Sequence, residues 1–197
     1  MAATATKPVV KVAALCGSIR KASYNRGLVR AAIAICEESL EGVEIEYLEV
    51  EPLPMLNTDL ETPPDGFPAV VEDFRRQIRE ADCILFASPE YNYSIAAPLK
   101  NAIDWASRPP NAFAGKAAAI VSAGGGFGGA LAQFHLRQVG VFLDLHFVNK
   151  PELHVNAFQP PPKFDDNNGD LIHQETKDRL KQVLLSLKNL SLRLRSD

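Results

Sequence analysis

Leu15-Cys16-Gly17-Ser18-Ile19-Arg20-Lys21-Ala22-Ser23-Tyr24-Asn25 follows an apolar run over 9–15 and precedes an Ala/Ile-rich helical pattern over 27–40. That order reads as strand, polar loop, helix. The loop offers Ser18, Ser23 and Asn25 as hydrogen-bonding side chains and Arg20 as a fixed positive charge. Main-chain N–H groups at a helix N-terminus point into the same space, and the helix dipole favours an anion there. An arginine suits a phosphate because its planar fork donates two hydrogen bonds at once. The stretch is therefore a candidate phosphate cradle. It is neither a Walker loop, since no Gly-Lys-Ser/Thr follows, nor a GxGxxG turn. The plainer reading is a polar turn with a helix cap, which any α/β protein needs at this point.

Working outward, apolar runs alternate with helical patterns. Strands are predicted over 9–15, 43–50, 83–87, 116–122 and 142–148. Helices are predicted over 25–40, 68–80, 98–107, 130–139 and 174–194. On the second helix Val70, Val71, Phe74 and Ile78 share one face. The Pro-rich stretch 51–66 reads as a loop, and 160–162 with 165–169 as a polar excursion. Five strands with crossover helices imply an α/β fold with a parallel sheet covered on both faces. Five strands favour the flavodoxin-like order 2-1-3-4-5, with the ligand beyond the carboxyl ends of strands 1 and 3. No repeat or linker divides the chain, so residues 1–197 are expected to form a single domain, with 1–8 a flexible N-terminal segment.

In that order the loops after strands 1, 3 and 4 meet. The second carries Ser88-Pro89-Glu90-Tyr91-Asn92-Tyr93-Ser94, which can face a flat heteroaromatic ring and bond its edge. The third, from Ser122 and Ala123 through Gly124 and Gly125, has five glycines over positions 124–129, and glycine lets backbone approach a ligand closely. A phosphate at one end and a planar ring at the other is the shape of a mononucleotide such as FMN. Each loop alone also reads as a turn or a flexible lid; the three together at the right crossings favour the ligand.

Composition narrows the function. Of 197 residues, 46% are hydrophobic, too many for a disordered chain, and the net charge is −3 with no basic block to meet nucleic acid. Cys16, Cys36 and Cys83 form no CxxC, so buried free thiols in a reducing compartment are expected. Residues 1–8 lack the apolar core of a signal peptide, and no run is long enough to span a bilayer. The expectation is a cytoplasmic protein; peripheral membrane association leaves no trace in the sequence. The four histidines show no metal-ligand spacing, and no metal site or hydrolytic constellation is expected. The segment 99–105, with Lys100, Asp104 and Trp105, reads either as a core helix with capped charges or as part of a subunit interface.

The residues above resemble the NADPH-dependent FMN reductase family. Gly17-Ser18-x-Arg20-x-x-Ser23-x-Asn25 is similar to its phosphate loop. Pro89-Glu90-Tyr91-Asn92-Tyr93-Ser94 followed by Leu99-Lys100-Asn101-Ala102-Ile103-Asp104-Trp105 is similar to its flavin loop and the helix after it. Phe127-Gly128-Gly129-Ala130, His135-Leu136-Arg137-Gln138, Phe142-Leu143-Asp144 and Asn149-Lys150-Pro151-Glu152 resemble the branch of bacterial chromate/quinone reductases and plant NADPH:quinone oxidoreductases. The resemblance runs from about residue 9 to the last helix.

It implies bound FMN, NADPH or NADH as electron donor, and two-electron, ping-pong reduction of quinones by hydride transfer through FMN N5. Side activity on chromate, azo dyes or free flavin is implied too, as is a homodimer or homotetramer. Ser18, Arg20, Ser23 and Asn25 would hold the phosphate; Pro89, Glu90, Tyr91 and Asn92, with Ser122, Gly124 and Gly125, would line the isoalloxazine. No side chain is expected to be catalytic, because the cofactor carries the chemistry. The alternative is a flavodoxin-like electron carrier without its own NAD(P)H oxidase activity, which a charge of only −3 disfavours. An iron–sulfur flavoprotein lacks its cysteine cluster here, and a domain without cofactor would be colourless.

Overall fold

The computed structural model describes residues 9–62 and 66–195; the N-terminal segment predicted over 1–8 lies outside them. Strand β1 (Val10–Cys16) is buried at every position but Lys11, as a strand packed on both faces must be. It pairs in parallel with β2 (Val43–Leu48) on one side and β3 (Cys83–Ala87) on the other. Next to β3 lies β6 (Ala117–Gly124). The fifth position is shared by β7 (His146–Phe147) and β8 (Leu153–Asn156), which pair with the two ends of β6. The order is β2-β1-β3-β6 and then β7/β8, the predicted flavodoxin-like arrangement with its last strand divided.

The division is the main departure from the sequence reading. The predicted strand 142–148 begins late, because α4 (Ala130–Phe142) runs through to Phe142. Only His146 and Phe147 then pair before the chain leaves the sheet over 149–152, where Pro151 has no N–H to donate. Within the loop after β3 a small antiparallel hairpin forms, β4 (Glu90–Tyr91) and β5 (Ser94–Ile95), which the sequence pattern does not predict.

Helices cover both faces. α1 (Tyr24–Ser39) and α5 (Gln174–Leu194) close one apolar layer, with Leu28, Ala32, Leu180, Val183 and Leu187 against β1 and β3. α2 (Ala69–Glu80), α3 (Ala97–Ala106) and α4 close the other, around Phe74, Ile78, Leu99, Ile103, Trp105 and Leu136. Val70, read as part of the apolar face of α2, is 40% exposed. Trp105 is fully buried rather than at an interface, and its indole N–H donates to the Pro54 carbonyl at 2.8 Å. Asn101 donates to the same carbonyl and accepts from the Leu56 N–H, so α3 straps down the Pro-rich loop. Arg75 is 1% exposed and donates to the carbonyls of Trp105, Arg108 and Pro110, placing a cation at the C-terminus of α3. No helix among the described residues is long and apolar enough to cross a membrane.

Candidate active site

From β1 the chain turns toward β2; from β3 it turns the other way toward β6. The loops at the carboxyl ends of β1 and β3 therefore diverge and leave a crevice. The Gly17 N–H donates to the Ala87 carbonyl at 2.9 Å, and the Ser88 N–H to the Val121 carbonyl at 3.1 Å. The two loops thus leave the sheet side by side. Between them and the glycine loop lies a cavity of about 500 Å³ lined by Ser18, Arg20, Ser23, Tyr24, Asn25, Pro89, Glu90, Tyr91, Ala123, Gly124, Gly125 and Phe158. That volume is in the range of small-ligand pockets.

At one end are the residues of the phosphate candidate. Ser23 is the N-cap of α1, and its hydroxyl accepts from the Arg26 N–H at 3.3 Å. The same hydroxyl keeps its own proton to donate. The Ser18 hydroxyl and the Arg20 guanidinium have no hydrogen bond or ion pair among the described residues; Arg20 lies only over the Tyr24 ring, 5.3 Å from its centroid. Asn25 is different. Its Nδ2 donates to the Ala123 carbonyl at 2.9 Å and its Oδ1 accepts from the Ala123 N–H at 3.0 Å. The residue lines the cavity, but its amide staples α1 to the end of β6.

The other end is bounded by the hairpin and the glycine loop. Pro89, Glu90 and Tyr91 line it, with Tyr91 exposed, whereas Asn92 sits at the hairpin tip with φ 50° and does not. The Glu90 carboxylate points away, to the N-terminus of α4. Gly124 and Gly125 form the opposite wall; a Cβ on either would come no closer than 3.5 Å to other protein atoms, so the room their bareness leaves opens into the cavity. Ser122 does not line it. Its hydroxyl is buried, donating to the Gly128 carbonyl and accepting from the Gln133 amide.

Sequence reasoning missed Tyr24 and Phe158 as walls. Tyr24 stands inside the quoted loop, one residue after Ser23, and was legible there. Phe158 had no local signal: it arrives because the excursion 157–172 folds back onto α1. Tyr24 stacks on Phe164 at 4.6 Å and its hydroxyl donates to Asp166 at 2.8 Å, which pushes the Tyr24 pKa up. A Cβ on Gly27 would lie 1.8 Å from the Gly169 carbonyl oxygen, so bare backbone lets the excursion dock directly on α1. Cys16 lies beneath the phosphate candidate; burial pushes its thiol up to about 11 and removes it from any thiolate chemistry at neutral pH.

Residues 10–160 match the family model of the NADPH-dependent FMN reductases. The chain belongs to that family. It is 67% identical over 192 residues to the NAD(P)H:quinone oxidoreductase of Solanum tuberosum, an alignment covering 97% of each chain. It is 64% identical over 194 residues to the probable NADPH:quinone oxidoreductase 1 of Oryza sativa subsp. japonica, covering 98% of each. Among solved structures it resembles the flavoenzyme NAD(P)H:(acceptor) oxidoreductase FerB of Paracoccus denitrificans, with a TM-score of 0.77 at 30% identity over 91% of this chain and 96% of that one. The family membership fits the cavity: an end lined by Ser18, Arg20 and Ser23, a bare-backbone wall and aromatic sides.

Proposed function

We propose that this FMN reductase family member is an FMN-dependent NAD(P)H:quinone oxidoreductase, acting by ping-pong hydride transfer. One observation carries the reading. The cavity brings the Ser18 hydroxyl and the Arg20 guanidinium, both without polar protein partners among the described residues, to the N-terminus of α1, opposite the bare wall of Gly124 and Gly125. That donor set suits a phosphate at one end and a flat ring at the other. FMN held there would supply two-electron redox chemistry between NAD(P)H and a quinone.

The chain's own residues bind and orient. Arg20, Ser18 and the Ser23 hydroxyl hold the phosphate. Pro89, Glu90 and Tyr91 provide one side of the ring site, with Ala123, Gly124 and Gly125 on the other. Tyr24 and Phe158 close the mouth with apolar surface. No histidine or cysteine lines the cavity among the described residues, and Oε2 of its one carboxylate, Glu90, accepts from the first amides of α4, which supports a site without a protein acid or base. An open cavity would admit two planar substrates in turn, with chromate, azo dyes or free flavin as further electron acceptors.

The whole chain is read as one FMN-binding domain in the cytoplasm, consistent with three buried free cysteines. A homodimer or homotetramer is supported by Phe134, Val141 and Phe142 on α4, of which the last two are each 82% exposed. Acid release and chromatography of the cofactor tests the reading. FMN is expected; FAD or no flavin overturns it. An NADPH-oxidising rate that does not rise with quinone would point to an electron carrier instead.

A further inference from the structure

Glycine conformation leaves α4 without a cap of its own. Its N-cap, Gly129, has φ 87° and offers no side chain, and a Cβ there would lie 2.7 Å from the Ser122 Cβ. Nothing larger than glycine fits the position, so the first amides of α4 must find an acceptor elsewhere. They find it on the neighbouring loop: Leu131 and Ala132 both donate their N–H to Oε2 of Glu90, at 2.9 and 3.1 Å. A second tie joins the same two elements, a 3.0 Å hydrogen bond between Ser94 Oγ and His135 Nδ1. The hairpin that carries Tyr91 is thus clipped to α4 at both of its strands. The glycine loop leads directly into that helix, so the clip also sets the distance between the hairpin wall and the glycine wall.

The geometry points to Glu90 as a positioning residue: it latches the β4–β5 hairpin to the N-terminus of α4 and holds the two walls of the cavity at the spacing of a flat ring. Its carboxylate acts through the helix amides that Oε2 accepts from, not on the reacting atoms. The latch deepens the functional reading above and rests on it for its consequence. Because both amides converge on one oxygen, the acceptor atom and its reach matter more than the charge.

Three variants separate these terms. Glu90→Gln keeps an acceptor oxygen at the same reach and gives up only the charge facing the helix dipole. Glu90→Asp keeps the charge but is one methylene short. Glu90→Ala removes both. In a fluorescence titration of the FMN-stripped protein, Asp and Ala are expected to weaken FMN binding by about tenfold or more, and Gln by no more than about fivefold. The KM for quinone should rise in the same order. Hydrogen exchange at the Leu131 and Ala132 amides reads the latch without flavin: protection should persist in Gln and vanish in Asp and Ala. An Asp variant as protected and as tight as wild type, with Gln impaired, would show that charge rather than reach is at work and overturn the latch. So would three variants indistinguishable from wild type. If Ala fails to fold, the Asp–Gln pair decides. A wild-type protein that binds no FMN while its amides stay protected defeats the flavin reading alone.

Discussion

Replacing Asn25 by alanine separates two roles for one residue. The family resemblance gives its amide to the phosphate; the structure gives both ends of that amide to the main chain of Ala123, at 2.9 and 3.0 Å, in a residue 4% exposed. Alanine leaves a buried N–H and a buried C=O without partners. Each costs about 1–3 kcal/mol, so the staple is worth about 2–6 kcal/mol to the folded state. In a chain of this size 1 kcal/mol moves the melting temperature by about 2–4 °C, so a fall of at least about 4 °C is expected. Asn25→Asp should fare no better, because a carboxylate cannot donate to the Ala123 carbonyl. The assay is thermal unfolding of the FMN-free protein followed by circular dichroism, wild type and variants side by side. An unchanged melting temperature together with weakened FMN binding would refute the staple and put the Asn25 amide on the phosphate.

Arg20→Ala should weaken FMN binding by about 10- to 150-fold, the range for a charge-assisted hydrogen bond, with little change in stability because the guanidinium makes no hydrogen bond or ion pair among the described residues and lies over the Tyr24 ring at 5.3 Å from its centroid. Equal dissociation constants would show that Arg20 does not face the phosphate. Burial pushes the thiols of Cys16 and Cys36 up to about 11 and that of Cys83 up to about 12. An alkylating reagent at about pH 8 should therefore label none in the folded protein and all three in urea; native labelling of Cys16 would mean that the phosphate loop opens. Burial also holds the His154 imidazole below its ordinary range. The unfolded chain then takes up that proton first, so stability is fully present above about pH 6.5 and declines as the pH falls below it. His154→Gln should flatten that part of the stability curve, and an unaltered slope would count against the assignment.

Much of this was legible in the sequence because the deciding features are local. An apolar run, a Ser/Arg/Ser/Asn loop and a helical repeat are consecutive in the chain, so β1, the phosphate end and α1 could be read together. The strand order followed from the count of alternating elements. The features that escaped depend on partners distant in sequence. Asn25 and Ala123 are 98 residues apart, and Glu90 and Leu131 are 41 apart. Only the fold brings them together, and in both cases a side chain that the resemblance assigns to the ligand site makes hydrogen bonds to backbone. Lys100 and Asp104 precede Trp105 on the same short helix, which in sequence leaves an interface open; those two pair with each other on the outer face while the indole turns inward to Pro54. The divided fifth strand was hidden by the apolar content of 139–143, which suits the end of α4 as well as the start of a strand.

In the proposed ping-pong scheme one flavin site serves the two substrates in turn. An anaerobic titration of the purified holoprotein, with the visible flavin band as readout, tests it most directly. Stoichiometric NADPH added without quinone should bleach the band, and stoichiometric quinone added afterwards should restore it with formation of the hydroquinone. A band that NADPH leaves untouched until quinone is present would contradict the account, as would a bleached flavin that quinone cannot reoxidise.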